Sequence, residues 1–148
     1  PLQMIEFYLI LAAVGAATSG MFWRLLVGTL VMLVAGFAGE TGMIGSAAIA
    51  FVIGIAGWIY ILYEVFAGEA GQASAASNSE AQKSAFNTMK WIVSVGWCIY
   101  PIGYFMGYLT GGGTDAATLN GVYNIADFVN KIAFGLAIWA AAKSESKA

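Results

Sequence analysis

The sequence predicts an all-α integral membrane protein of five transmembrane segments. Three observations lead there. Of the 148 residues, 60% are hydrophobic and only 9% charged, against about 25% charged in an ordinary soluble domain. The apolar residues fall in long runs divided by short Gly-, Ser- and Thr-rich breaks, as expected of helices that cross a bilayer. The last run, Leu119 to Ala142, carries Asp127 and Lys131 near its middle. There a charged side chain costs roughly 2.5–3.5 kcal/mol even on a lenient insertion scale.

The first segment, residues 1–17, is short for a span. It starts at Pro1 inside a helical pattern, so the chain is expected to be the C-terminal part of a longer protein. The second segment covers about 21–39 and the third about 43–66. Residues 67–83, rich in Ala, Ser, Gly and Asn, read as a mobile polar linker. The fourth segment covers about 84–109 and the fifth about 119–142, with KSESKA as a solvated tail. The whole chain, residues 1–148, reads as a single membrane domain without internal repeats.

Alternation of five spans places Arg24, Lys83, Lys90, Lys143 and Lys147 on one side of the membrane. The connections around Glu40 and Asp115 have no Lys or Arg, so the basic side and the C-terminus should be cytoplasmic. This leaves Lys131 as the one base within the membrane, level with Trp97 and Pro101, and puts Glu6 in the cytoplasmic half of the first segment. The chain has no His, which excludes the common zinc sites and a His general base, and no metal site is expected. Its single Cys98 cannot form an internal disulfide and reads as a small packing residue. The net charge of −2 speaks against a nucleic-acid partner.

The i, i+4 spacing puts Asp127 and Lys131 on one helix face, a turn apart. A buried ion pair that fixes packing would account for them. So would a reactive site, because an amine in an apolar pocket can condense with an aldehyde, leaving the carboxylate to balance the protonated imine. Pro101 should kink the fourth span. Trp97, Tyr100, Tyr104 and Phe105 crowd that kink, and Trp58, Tyr60 and Tyr63 add aromatic surface from the third span. These aromatics suit plain packing or the wall of a flat pocket for a conjugated ligand. Glu6 either snorkels to the interface or holds a proton within the membrane as a relay would. The spacing of Gly103, Gly107 and Gly111 favours close helix contact without indicating more.

Three stretches together resemble the microbial rhodopsin family, and within it the blue-absorbing proteorhodopsins. ADFVNK, Ala126 to Lys131, is similar to the seventh helix of that family; WCIYP, Trp97 to Pro101, to its sixth; and PLQMIEFYLIL, Pro1 to Leu11, to the second half of its third. The resemblance covers essentially the whole chain. It implies five segments of a seven-helix rhodopsin bundle, with the third helix partial and the first two absent, and with them the primary proton acceptor.

The resemblance further implies all-trans-retinal bound to Lys131 as a Schiff base. Asp127 would belong to the counterion complex. Trp97, Tyr100, Pro101 and Tyr104 would line the polyene, and Met32 and Trp58 would lie nearer its ring. Glu6 matches the cytoplasmic proton donor of outward pumps, a position that is typically Gln in sodium and chloride pumps. Gln3 occupies the spectral-tuning position. The expected function is a light-driven outward proton pump in the cell membrane. It is not an enzyme; its partners are the lipid bilayer and protons, with association of identical chains left open. A photosensory rhodopsin signalling through a partner, or a non-pigmented helical membrane protein with a structural Asp–Lys pair, are the alternatives.

Overall fold

Seven α-helices make up the computed structural model, which describes residues 1–110 and 115–146. Helix α1 (Leu2–Ala12) is wholly apolar except for Gln3 and Glu6, and ends five residues before the expected boundary in a turn that includes Gly15. Helix α2 (Ser19–Glu40) starts at Thr18, whose hydroxyl accepts the Met21 amide at 3.2 Å. This satisfies one of the donors that every helix start leaves over. Gly42, at φ +72°, turns the chain after α2, a conformation that glycine adopts without steric cost. Residues 43–45 are consequently not helical, and α3 (Ala47–Phe66) begins four residues later than expected, capped by Ser46.

The segment expected to be a mobile linker is instead structured. Residues 69–76 form helix α4 (Glu69–Ala76), and α5 (Glu80–Ser94) starts before the expected end of the linker. The Glu64 carboxylate accepts the Ala70 amide at 3.1 Å near the start of α4, and Ala70 is fully buried. Small Ala and Ser side chains let α4 lie close against its neighbours, where Ser74 accepts a bond from Gln82 of α5 at 3.3 Å. A composition that reads as a linker therefore serves here as a tight fit.

Beyond α5 the expected kink appears as a break. Residues 96–98 make one turn of 3-10 helix, α6 (Ile99–Tyr104) follows, and residues 105–109 form a π turn. Pro101 has no N–H to offer the carbonyl of Trp97, so regular α geometry cannot run through this stretch. Helix α7 (Ala116–Glu145) is capped by Asp115, which accepts the Thr118 amide at 2.9 Å and its hydroxyl at 2.7 Å. Those bonds hold the Asp115 carboxyl below its usual range. The helix extends past both ends of the expected span. Gly111 and Lys147 lie outside the described residues.

The core joins α1, α5 and α7 through Phe7, which meets Phe86 and Phe134 edge-on at 5.1 and 5.4 Å. Met4, Leu11, Met89 and Val93 fill in around them. Outward, α2, α3 and α7 present large apolar side chains such as Val34, Phe37, Val52, Ile125 and Phe128. Four helical stretches are long and apolar enough to cross a membrane by length and composition, and α1 is a shorter apolar helix. Arg24, Lys83 and Lys143 share one end of the bundle: Arg24 pairs with Glu64 and Glu69, and Ser79 bonds Glu145. Glu40 and Asp115 end or begin helices at the other.

Candidate functional site

A cavity of about 440 Å³ opens where the core ends, within the usual range of roughly 300–1,000 Å³ for small-molecule pockets. Gln3 comes from α1; Met32, Gly36 and Phe37 from α2; Phe51, Gly54 and Trp58 from α3. Trp97, Tyr100, Pro101 and Tyr104 come from the broken stretch, and Tyr123, Asp127 and Lys131 from α7. Met32, Trp58, Trp97, Tyr100, Pro101, Tyr104, Asp127, Lys131 and Gln3 thus fall on one cavity, whereas Tyr60, Tyr63 and Phe105, the other aromatics offered for its wall, are exposed and do not line it. Glu6 is not among its lining residues; it lies half-buried on α1, one helical turn beyond Gln3 on the same side of the helix.

At the α7 wall the polar groups form a chain. The Lys131 ammonium donates to Asp127 Oδ2, and the Tyr100 hydroxyl donates to Asp127 Oδ1. The Tyr123 hydroxyl donates to the Tyr100 carbonyl at 3.2 Å. The pair is not enclosed, since the Lys131 and Asp127 side chains are 62% and 42% exposed. It is therefore reachable from the cavity.

The opposite wall is aromatic. Trp58 is fixed by an Nε1–H bond to the Val93 carbonyl at 2.9 Å. Tyr104 stacks on Phe51 with ring centroids 5.8 Å apart and donates to the Ala47 carbonyl at 3.3 Å. Such walls accept a flat, conjugated, apolar body. Gln3 adds a buried Nε2 that has no hydrogen-bond partner among the described residues. Gly103 and Gly107 lie against Tyr123 and Leu119 of α7, as their spacing suggested.

Three features escape a reading of the sequence. Asn130, 8% exposed, donates from Nδ2 to the Gly96 carbonyl at 3.0 Å. Tyr123 closes the cavity beside Tyr100. Glu64, an acid near the end of the third span and 2% exposed, receives Arg24 Nε at 3.1 Å and Nη2 at 3.2 Å. Arg24 also pairs with Glu69, which accepts the Thr18 hydroxyl at 2.6 Å. For this last cluster a signal did exist: an Arg at the start of one span and a Glu at the end of the next lie at the same membrane depth. Cys98 is half-buried, and its thiol donates to the Ser94 carbonyl at 3.0 Å.

Residues 1–145 match the family described as bacteriorhodopsin-like protein. A blue-light absorbing proteorhodopsin of Gamma-proteobacterium Hot 75m4 is 55% identical over 147 residues, covering 99% of this chain and 58% of that protein. A green-light absorbing proteorhodopsin of Gamma-proteobacterium EBAC31A08 is 53% identical over 146 residues, with the same coverage. The chain thus spans less than two thirds of the length of these relatives. Among solved structures, blue light-absorbing proteorhodopsin from Med12 superposes with a TM-score of 0.78 at 50% identity, over 98% of this chain and 62% of that one. Exiguobacterium sibiricum rhodopsin superposes with a TM-score of 0.85 at 29% identity, over 100% and 68%.

Proposed function

The chain belongs to the bacteriorhodopsin-like family, and from that premise we propose that Lys131 Nζ is the attachment point of all-trans-retinal in a light-driven outward proton pump. The observation that carries this reading is the series Lys131, Asp127, Tyr100 at the edge of an aromatic cavity. The activity is that of the whole protein, since the chain spans 58% of the length of its curated relatives.

The residues present fit the cofactor. The cavity offers one lysine amine and flat walls from Trp58, Trp97 and Tyr104, with the Gln3 amide, whose Nε2 has no partner among the described residues, on its lining. When bound at Nζ, retinal supplies a polyene that absorbs light and, on changing shape, alters the proton affinity of that nitrogen. Trp58, held by the Val93 carbonyl, and Trp97 fix the plane of the ligand, while Met32 adapts to its ring end. Asp127 balances the proton on Nζ, and the Tyr100 hydroxyl holds one of its oxygens so that the other faces the amine. Pro101 keeps Tyr100 and Tyr104 on the cavity side by breaking the helix before them.

Glu6 serves as the proton donor that returns a proton to Nζ from the cytoplasmic side. Its place one turn beyond Gln3, outside the cavity, suits a group that acts after the nitrogen has lost its proton. The positive charges gathered at the α2 start, the α5 start and the α7 end support a cytoplasmic C-terminus. The protein is then a multi-pass resident of the cell membrane. The Gln3 amide supports the blue-absorbing type, because a polar group beside the polyene stabilises positive charge held near the nitrogen before excitation.

Absorption spectroscopy of the whole protein with added retinal tests the attachment. Lys131→Ala should abolish the visible band, and an unchanged band would overturn the reading. Illuminated cells should acidify their medium, whereas alkalinisation would reverse the proposed direction. Glu6→Gln should keep the band and slow reprotonation of Nζ; wild-type decay in flash photolysis would remove Glu6 from the donor role.

A further inference from the structure

The proposed mechanism leaves unused the buried amide that adjoins its amine. Asn130 precedes Lys131 on α7, and its Nδ2 donates to the carbonyl of Gly96 at 3.0 Å. Gly96 begins the single 3-10 turn at which the α5–α6 helix breaks. The approach is close. A Cβ placed on Gly96 would run into Oδ1 and Cγ of Asn130, so an alanine there must displace this amide from its place.

Two further bonds run between α7 and the same short stretch, from Tyr123 to the Tyr100 carbonyl and from Tyr100 to Asp127. Of the three, Asn130 alone grips the backbone of the broken turn. Hydrogen bonds in a 3-10 turn are poorly aligned, so a side-chain donor on such a carbonyl takes up a bond that the helix makes weakly. A shift of the turn must pull on this amide, and a rotation of α7 that moves Lys131 must pull on the turn.

Resting on the assignment of Lys131 as the attachment point, we infer that Asn130 is a positioning residue. Seated on the Gly96 carbonyl, its carboxamide couples the break at residues 95–98 to the setting of Lys131 Nζ. It thereby governs the side to which that nitrogen presents its proton.

The test uses the whole protein with retinal. Asn130→Ala should still form a coloured pigment, but with a displaced absorption maximum and reprotonation of Nζ slowed several-fold. Asn130→Leu, which keeps the branching of Asn in a larger side chain, removes the donor without leaving a cavity and should reproduce both effects if the alanine variant folds poorly. Gly96→Ala, which intrudes on the same amide, should show the same pair of defects. The Asn130→Ala/Gly96→Ala double variant should be no worse than the more affected single one, because the new methyl group then occupies the space vacated by the amide. Variants with wild-type colour and kinetics that merely melt at a lower temperature would overturn the inference, as would defects that add. Failure of the attachment assignment reads differently: the wild-type protein would then form no band that depends on Lys131.

Discussion

Gln3 shows how a single side chain can be at once costly and useful. Its Nε2 is buried and has no partner among the described residues, a condition that typically costs about 1–3 kcal/mol. Gln3→Leu, similar in size and without polar atoms, should therefore leave the whole protein as stable or up to about 1 kcal/mol more stable. It should also move the visible band to longer wavelength, since nothing polar then favours positive charge near Nζ. Thermal melts and an absorption spectrum of the variant check both; a destabilised protein with an unmoved band would show that the amide does not face the chromophore. Residues such as Asp127 and Lys131 were legible in the sequence because a charge in an apolar run is expensive and hence conspicuous. Asn130 and Tyr123 were not. A neutral polar group in a membrane helix excites no such suspicion, and the Asn130 partner is a backbone carbonyl 34 positions away that no spacing rule reaches.

At the scale of elements, the end of the bundle that carries Arg24, Lys83 and Lys143 is tied by caps as well as by its apolar core. Ser79 accepts the Gln82 amide at 3.0 Å as the cap of α5, and its hydroxyl also donates to Glu145 at the end of α7. One oxygen thus fixes where α5 starts and what it starts against. Ser79→Ala removes both bonds, and the cap alone is worth about 1 kcal/mol, within a range of roughly 0.5–2. A fall of that size in unfolding free energy is expected, together with faster amide exchange at Gln82 and Lys83. Unaltered exchange there would mean that α5 is held by its packing alone. The helices themselves were readable from apolar runs, but α4 was not: its buried faces are Ala70 and Ser74, too small to register as a pattern. What makes it a helix is the Glu64 carboxylate on its first turn, an acid contributed by the preceding helix.

The molecule as a whole must hold its helices together without the force that folds soluble proteins, since lipid tails are as apolar as the side chains they would replace. Close packing does that work, and it is tightest between α2 and α3. A Cβ on Gly57 would lie 3.0 Å from the Gly28 carbonyl oxygen and 3.0 Å from the Met32 amide nitrogen, so the two backbones all but touch. Nothing in the sequence marks this contact, because Gly28 and Gly57 sit in different spans and share no repeat with each other. Yet it shapes the site: Met32 and Trp58, immediately beside it, are both cavity wall. Gly57→Leu must drive backbone from backbone, since no flexible side chain is there to yield, and the wall should move with it. The expected outcome is a helical protein that reaches the membrane but forms little or no pigment with retinal. Gly45→Leu is the control, because Gly45 lies in the turn between α2 and α3 and a Cβ there meets nothing within 4 Å among the described residues, and that variant should colour normally. Equal colour in both variants would mean that the cavity is set by α7 and the broken helix alone, with α2 and α3 free to separate.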